Sequence, residues 1–270
     1  MNKNDRNIEK MIGQGRTADI YEYGENQVLK LFKNNIGEQS IIDEYNQSKI
    51  VQESGLDVPS VSEMVDINDR KGIVYEKIDG KTMFQTLSSQ PMKMKSMARQ
   101  MAQLQYSIHQ TSSHELPDQK EILERFIQGA DLIDDRQKEK IIHYLHQLPN
   151  GNVICHGDYH PDNVMITPTN VKIIDWNNAS RGHHLADVTR TFLLLKYGTI
   201  PAHLSLQLKF FDEVGKKQFY RQYLKTYLSL SGDSINDIHK WEVPIAAARL
   251  AEGIPDEEKQ MLYDQILKTI

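Results

Sequence analysis

The sequence contains a single cysteine, Cys155. A lone thiol closes no internal disulfide, and beside one histidine it makes no metal-ligand pattern, so a cystine framework is excluded and a reducing, cytoplasmic setting is expected. Basic charge is not in surplus either. With 32 Lys and Arg against 37 Asp and Glu the net charge is −5, which offers no electrostatic footprint for nucleic acid. Long apolar runs are missing too. The opening "MNKNDRNIEK" is polar with no hydrophobic stretch behind it, so neither a secretory signal nor a membrane partner is expected. Only 15 glycines and 9 prolines, with no repeat and no low-complexity tract, exclude fibrous, solenoid and disordered classes. The oligomeric state is not specified by any of these features.

What the chain does have is a change of period near residue 80. Residues 8–78 read mostly as strand, with alternating stretches "ADIYEY", "QVLKLF", "VSEMVDI" and "GIVYEKI" separated by the turn signals "GEN" and "NDRKG". A helix interrupts them at "EQSIIDEYNQSKIVQES", with Ile41, Ile42, Tyr45, Ile50 and Val51 near helical spacing and Gly55 and Pro59 beyond its end. After "DGKT" the period lengthens. Met94, Met97, Ala98, Met101, Leu104 and Ile108 recur at steps of three and four, which reads as the core face of a helix rather than a thioether ligand site. Further helices are expected at 119–130, 135–147, 184–196, 204–230, 235–252 and 256–269, with short strands in "NVIC", "NVMIT" and "VKIIDW". A mass of 31.2 kDa leaves room for two cores, and the expected division is 1–78 and 79–270.

Three constellations carry chemistry. In "IGQGRTADIYEYGENQVLKLF", Gly13 and Gly15 precede a strand and Lys30 follows on the next one. Glycines let backbone amides approach phosphate oxygens, which a lysine can then pair; a two-glycine turn closing a hairpin fits as well. The third glycine of a dinucleotide fingerprint is replaced by Ala18, and a strand rather than a helix follows, so that fingerprint is disfavoured. Glu44, inside the helix of the first segment, either pairs with Lys30 or sits on a solvated face; neighbouring Asp43 and Glu53 favour the solvated face.

The third constellation is "HGDYHPDN" followed by "IIDW". Asp158 and Asn163 stand in the pattern H-x-D-x-x-x-x-N, and Asp175 ends an apolar strand twelve residues after Asn163. Phosphoryl transfer from a nucleoside triphosphate needs these types for separable reasons: a carboxylate to orient the incoming hydroxyl and accept its proton, and a carboxylate and an amide oxygen as hard ligands for Mg²⁺.

With those residues in view, the chain resembles the aminoglycoside phosphotransferase and choline kinase superfamily over nearly its whole length. The resemblance implies an α+β, bilobal, protein-kinase-like fold, with an antiparallel sheet and one helix in the first lobe, a hinge at about residues 76–80, and a mainly helical second lobe. It implies Asp158 as the base, Asn163 and Asp175 as Mg²⁺ ligands, and Lys30 as the phosphate-binding lysine held by Glu44. His156 and Asp187 are implied as braces of the catalytic loop, and backbone groups of Glu76 and Ile78 as the adenine-binding hinge. Tyr75 takes the gatekeeper position. "YEKIDG" is similar to the hinge of the 2''-type aminoglycoside enzymes, which keeps GTP open beside ATP as donor.

Glycine stands between His156 and Asp158 where protein kinases carry arginine, and eleven residues separate Asp175 from Asp187, too few for a peptide platform. The implied acceptor is a hydroxyl on a small molecule. An aminoglycoside-type antibiotic is the first expectation, with a housekeeping kinase for choline, homoserine or a sugar amine as alternative. A silent nucleotide-binding module, and last a protein kinase, complete the rivals. Between 231 and 270, eight acids face four bases, an excess that suits a cationic acceptor but is better accounted for by an ordinary solvated helix face. Trp241 and Glu242 are the substrate residues this suggests, by cation–π contact plus charge. Trp176 either floors the site or packs between the lobes. His160, Asp162, His183 and His184 receive no assigned chemistry.

Overall fold

The computed structural model describes residues 8–198 and 213–269. By compactness the chain divides into Met1–Lys81 with Val164–Ala179, and Thr82–Asn163 with Ser180–Ile270. The division thus falls a few residues later than the composition suggested. It also groups the 164–179 hairpin, with Asp175, with the first unit.

The first unit is built on β1 (Ile8–Gln14), β2 (Ala18–Tyr23), β3 (Gln27–Phe32), β4 (Val61–Ile67) and β5 (Arg70–Glu76), in the order β1-β2-β3-β5-β4 with every neighbour antiparallel. Its turns use residues that accept positive φ: Gly24 and Asn26 between β2 and β3, Asn68 and Asp69 between β4 and β5. Alternation along the strands splits the apolar residues between two faces. Ala18, Phe32, Val61 and Ile73 pack with Ile41 of helix α1 (Glu38–Glu53), while Tyr23, Leu29, Leu31 and Val74 make the opposite cluster. Ile73, fully buried, contributes roughly 1.5–3 kcal/mol by area removed from water. Because side chains alternate, Lys30 shares the face of Phe32 and looks toward α1. A further hairpin of this unit pairs β8 (Val164–Ile166) with β9 (Val171–Ile173); between β5 and β8 come the two-residue strand β6 (Lys81–Thr82) and, in the second unit, β7 (Val153–Cys155).

The buried stripe of α1 is Ile41, Glu44, Ser48 and Val51. Helical spacing alone pointed to an apolar stripe, yet half of the buried positions are polar, and their partners lie on the sheet.

The second unit begins with a short helix that periodicity does not reveal, α2 (Met83–Ser89), started by Thr82 and Gln85 in a reciprocal capping box. Then come α3 (Met94–Ile108), α4 (Gln119–Gln128), α5 (Asp135–Gln147), β7 (Val153–Cys155), β10 (Ser180–Gly182), α6 (His184–Tyr197), α7 (Glu213–Ser231), α8 (Ile235–Arg249) and α9 (Asp256–Leu267). The 204–212 part of the helix expected at 204–230 lies outside the described residues. Asp118 and Asp134 cap α4 and α5. The methionine face of α3 is core: Met97, Ala98, Met101, Ala102 and Ile108 are buried. Helix α8 is buried over its second half, Trp241–Arg249, including Pro244 and Arg249, and packs against α4, α5, α6 and α9. No helix among the described residues is long and apolar enough to cross a membrane.

Candidate active site

The first unit gathers two carboxylates around one ammonium. Lys30 Nζ lies 2.7 Å from Glu44 Oε1 and 2.8 Å from Asp175 Oδ1. Glu44, for which neighbouring acids favoured a solvated face, is buried. Tyr75 on β5 donates its hydroxyl to Glu44 Oε1 at 3.2 Å and stands 3.2 Å from the Ser48 hydroxyl, one turn further along α1. Burial alone would lower the Lys30 pKa, but the Asp175 and Glu44 carboxylates outweigh it and hold the ammonium above its ordinary range. Tyr75 is pushed up by burial and by the charge of Glu44, so it remains a hydrogen-bond donor. Asp175 adopts φ +65, a left-handed conformation that aspartate tolerates and that sets its carboxylate off the end of β9.

Gly13 lies in β1 opposite Ile20, and Gly15 follows in the β1–β2 turn, where its N–H donates to the Ala18 carbonyl at 2.8 Å and Lys33 reaches its carbonyl at 2.7 Å. Neither glycine has positive φ. A Cβ at Gly13 would meet Ile20 at an ordinary 3.4 Å, and one at Gly15 would meet the Ala18 carbonyl at 3.2 Å. Glu76 donates its backbone N–H to the Ser60 carbonyl at 2.8 Å, and its carboxylate accepts from Lys172 at 3.0 Å; Ile78 follows in the irregular stretch after β5. Trp176 is buried, its indole N–H donating to the Ile173 carbonyl at 3.0 Å.

The second unit carries the loop 156–163. His156 is wholly buried at the end of β7, and the left-handed Gly157, with φ +77, turns the chain toward Asp158. Asp187 on α6 accepts the backbone N–H of His156 at 3.1 Å and of Gly157 at 2.8 Å. The same carboxylate accepts from Gln105 Nε2 at 2.8 Å and faces His109 Nε2 at 3.1 Å. Burial opposes that charge, but these donors, His109 foremost, hold the Asp187 carboxyl down at about 2. Burial also lowers the pKa of His109, so its imidazole is neutral. Since an ionised carboxylate only accepts, the His109 proton sits on Nε2, and Nδ1 accepts from the Tyr227 hydroxyl at 2.5 Å. His156 Nδ1 accepts the Asp158 backbone N–H at 3.2 Å.

Asn163 donates Nδ2 to the Asp158 carbonyl at 2.9 Å, which ties the two ends of the loop together and turns the harder amide oxygen to other use. Burial raises the Asp158 pKa, but His160, Arg190 and His156 around it more than compensate, so the carboxyl stays well below the usual carboxylate range and is ionised. His160 Nε2 lies 3.5 Å from Asp158 Oδ2, and Asp162 accepts from the Thr82 hydroxyl at 3.0 Å, tying the loop to the start of α2. Those were two of the unassigned residues. Of the other two, His183 caps α6 by accepting the Leu185 N–H, its pKa lowered to about 4 by burial and then by His184; His184 pairs with Asp233 at 2.9 Å.

Trp241 and Glu242 take inward places on α8. The indole is buried and stacked on His183 with ring centres 5.4 Å apart, and the Glu242 carboxylate accepts from His239 at 2.6 Å and Gln265 at 3.0 Å. Sequence reasoning missed Arg190, which donates Nε to the Gly157 carbonyl and Nη1 to Glu252 at 2.6 Å. Its signal was its spacing: three residues after Asp187, it shares that residue's face of α6.

The first unit thus buries a lysine between two carboxylates, and the second carries an ionised aspartate on a loop braced through its backbone. The model of the phosphotransferase enzyme family matches residues 10–228. The chain belongs to that family and, at the level of class, is a phosphotransferase with a protein-kinase-like fold. No curated protein matches the sequence. Among solved structures, an aminoglycoside-3'-phosphotransferase of type VIII is 18% identical, with a TM-score of 0.57 and coverage of 94% of this chain and 93% of that one. The streptomycin–ATP ternary complex of APH(2'')-IIa is also 18% identical, with a TM-score of 0.58 over 98% and 92%. A choline kinase from Cryptosporidium parvum Iowa II is 15% identical, with a TM-score of 0.55 over 99% and 90%.

Proposed function

We propose that the protein moves the γ-phosphoryl group of ATP, or of GTP, to a hydroxyl of an aminoglycoside-type small molecule in the cytoplasm, with Mg²⁺ as cofactor. The observation that carries this reading is Asp158, ionised and carried on a loop whose backbone is pinned on both sides of Gly157. Asp158 orients the acceptor hydroxyl and takes its proton as the oxygen attacks. Lys30, kept charged by Glu44, pairs with donor phosphates, while Tyr75, Glu76 and Ile78 border the base and Gly13 and Gly15 close over the phosphates.

For the metal, the residues fit by chemistry. Asn163 offers an amide oxygen because its nitrogen is engaged by the Asp158 carbonyl. Asp175, its side chain 36% exposed, has a second carboxylate oxygen beyond the one facing Lys30. Among the described residues no three His, Cys, Asp or Glu cluster as a metal cage; a Mg²⁺ held by one carboxylate, one amide and the phosphates needs none. Bound there, the ion would neutralise charge on the transferring phosphoryl group.

The eleven residues between Asp175 and Asp187 hold a turn, β10 and the first residues of α6, which supports a small acceptor over a peptide. Likeness to the choline kinase supports a second reading, an amino-alcohol kinase of housekeeping metabolism. A panel of aminoglycosides, macrolides and amino alcohols, each with ATP and with GTP, with Mg²⁺ and with chelator, tests both. Phosphorylated aminoglycoside formed only with Mg²⁺ supports the first reading. Phosphorylated choline or homoserine alone replaces it with the second, and product from none, despite nucleotide binding, favours a silent module.

A further inference from the structure

The peptide unit that joins Gly157 to Asp158 is held at its carbonyl by a residue no motif flags. Arg190 lies one helical turn after Asp187 on α6, and the two divide the work: Asp187 accepts the Gly157 N–H, and Arg190 donates Nε to the Gly157 carbonyl. The backbone entering Asp158 is therefore clamped from both polar ends by one helix face. Arg190 is itself fixed. Nη1 bonds Glu252 Oε1 at 2.6 Å, Glu252 Oε2 lies 3.6 Å from Arg249 Nε, and Arg249 Nη2 donates to Glu258 on α9. A planar guanidinium can serve a carbonyl and a carboxylate at once from adjacent nitrogens; a lysine ammonium has no such fork.

We propose that Arg190, held by Glu252, is a positioning residue for the catalytic base: it fixes the 157–158 peptide and so the direction in which Asp158 meets the acceptor hydroxyl. The inference rests on the proposed phosphotransfer reading for its kinetic consequence but not for its structural one. The loop lacks an arginine of its own at position 157, and the one it uses arrives from α6 and is anchored to the C-terminal helices. The Arg190–Glu252 pair therefore links the loop with the chain between α8 and α9.

The test compares Arg190→Gln, Arg190→Lys, Glu252→Gln and the double variant Arg190→Gln/Glu252→Gln in the full chain. Leu145→Ala serves as a destabilised control, because that side chain is buried in α5, which packs on α4 and α8. Backbone hydrogen exchange of the 154–162 segment is read first. Arg190→Gln is expected to speed it by about tenfold beyond the control. Turnover is expected to fall about tenfold or more with nucleotide affinity changed by less than about twofold, since misplacing the base costs kcat rather than donor binding. Arg190→Lys should recover part of both losses, and the double variant should be no worse than Arg190→Gln. If Arg190→Gln does not fold, Glu252→Gln, which leaves the arginine in place, carries the comparison with a smaller effect of the same sign. Loop exchange no faster than in Leu145→Ala overturns the proposal, as does a kcat loss matched by an equal loss of donor affinity. If the wild type phosphorylates no acceptor, the functional reading fails instead, and the exchange result still decides whether Arg190 holds the loop.

Discussion

The Lys30 ammonium lies 2.7 Å from the Glu44 carboxylate, with the two side chains only 12% and 6% exposed. Removing one partner of such a pair leaves a buried charge, whereas the pair itself contributes modestly. Lys30→Met is therefore expected to destabilise the protein by about 3–5 kcal/mol, because Glu44 and Asp175 would then face each other uncompensated. Glu44→Gln leaves Lys30 with Asp175 and should cost less, while weakening nucleotide binding. Denaturant unfolding and nucleotide titration of both variants check the order.

Tyr75 ties that pair to the sheet. Tyr75→Phe removes the hydroxyl bonded to Glu44 and Ser48 and keeps the ring. The expected loss is about 1 kcal/mol, read as a lower Tm. Retention of wild-type Tm would show that the hydroxyl bonds are replaced without cost.

Acid should uncover Asp187. Its folded pKa, about 2, lies below the ordinary value of 3.8, so its stabilisation is fully present above pH 4 and is lost as pH falls toward 2. The contribution is on the order of 2 kcal/mol. Asp187→Asn should flatten the unfolding free energy over that window, while also weakening the protein at neutral pH because an amide cannot accept all the bonds the carboxylate does.

Gly157 tests the loop geometry. With φ +77, a Cβ there should cost about 1–2 kcal/mol, so Gly157→Ala is destabilised and Gly157→Asn less so. Equal stabilities in thermal melts would mean that the loop relaxes to another conformation.

The antiparallel sheet, its helix and the later helices were legible because each depends on period and turn chemistry within a short window. Helix α2 escaped since its seven residues carry no stripe, although the T-x-x-Q of Thr82 and Gln85 marks its start. The order of Asp158, Asn163 and Asp175 made the proposed chemistry readable, while Glu44, by its neighbours alone a surface acid, was set beside Lys30 only by the family resemblance. Arg190 and the inward places of Trp241 and Glu242 depend on which helix faces meet. That is decided by packing across distant segments, and one helix read alone does not disclose it.

The central claim is that Asp158 acts on the acceptor and not on the donor. Single-turnover transfer from γ-labelled nucleotide, with Mg²⁺ and an accepted acceptor, should be about 10²–10⁴-fold slower in Asp158→Asn than in the wild type, with nucleotide affinity unchanged. A folded Asp158→Asn variant that transfers phosphate at the wild-type rate would contradict the account.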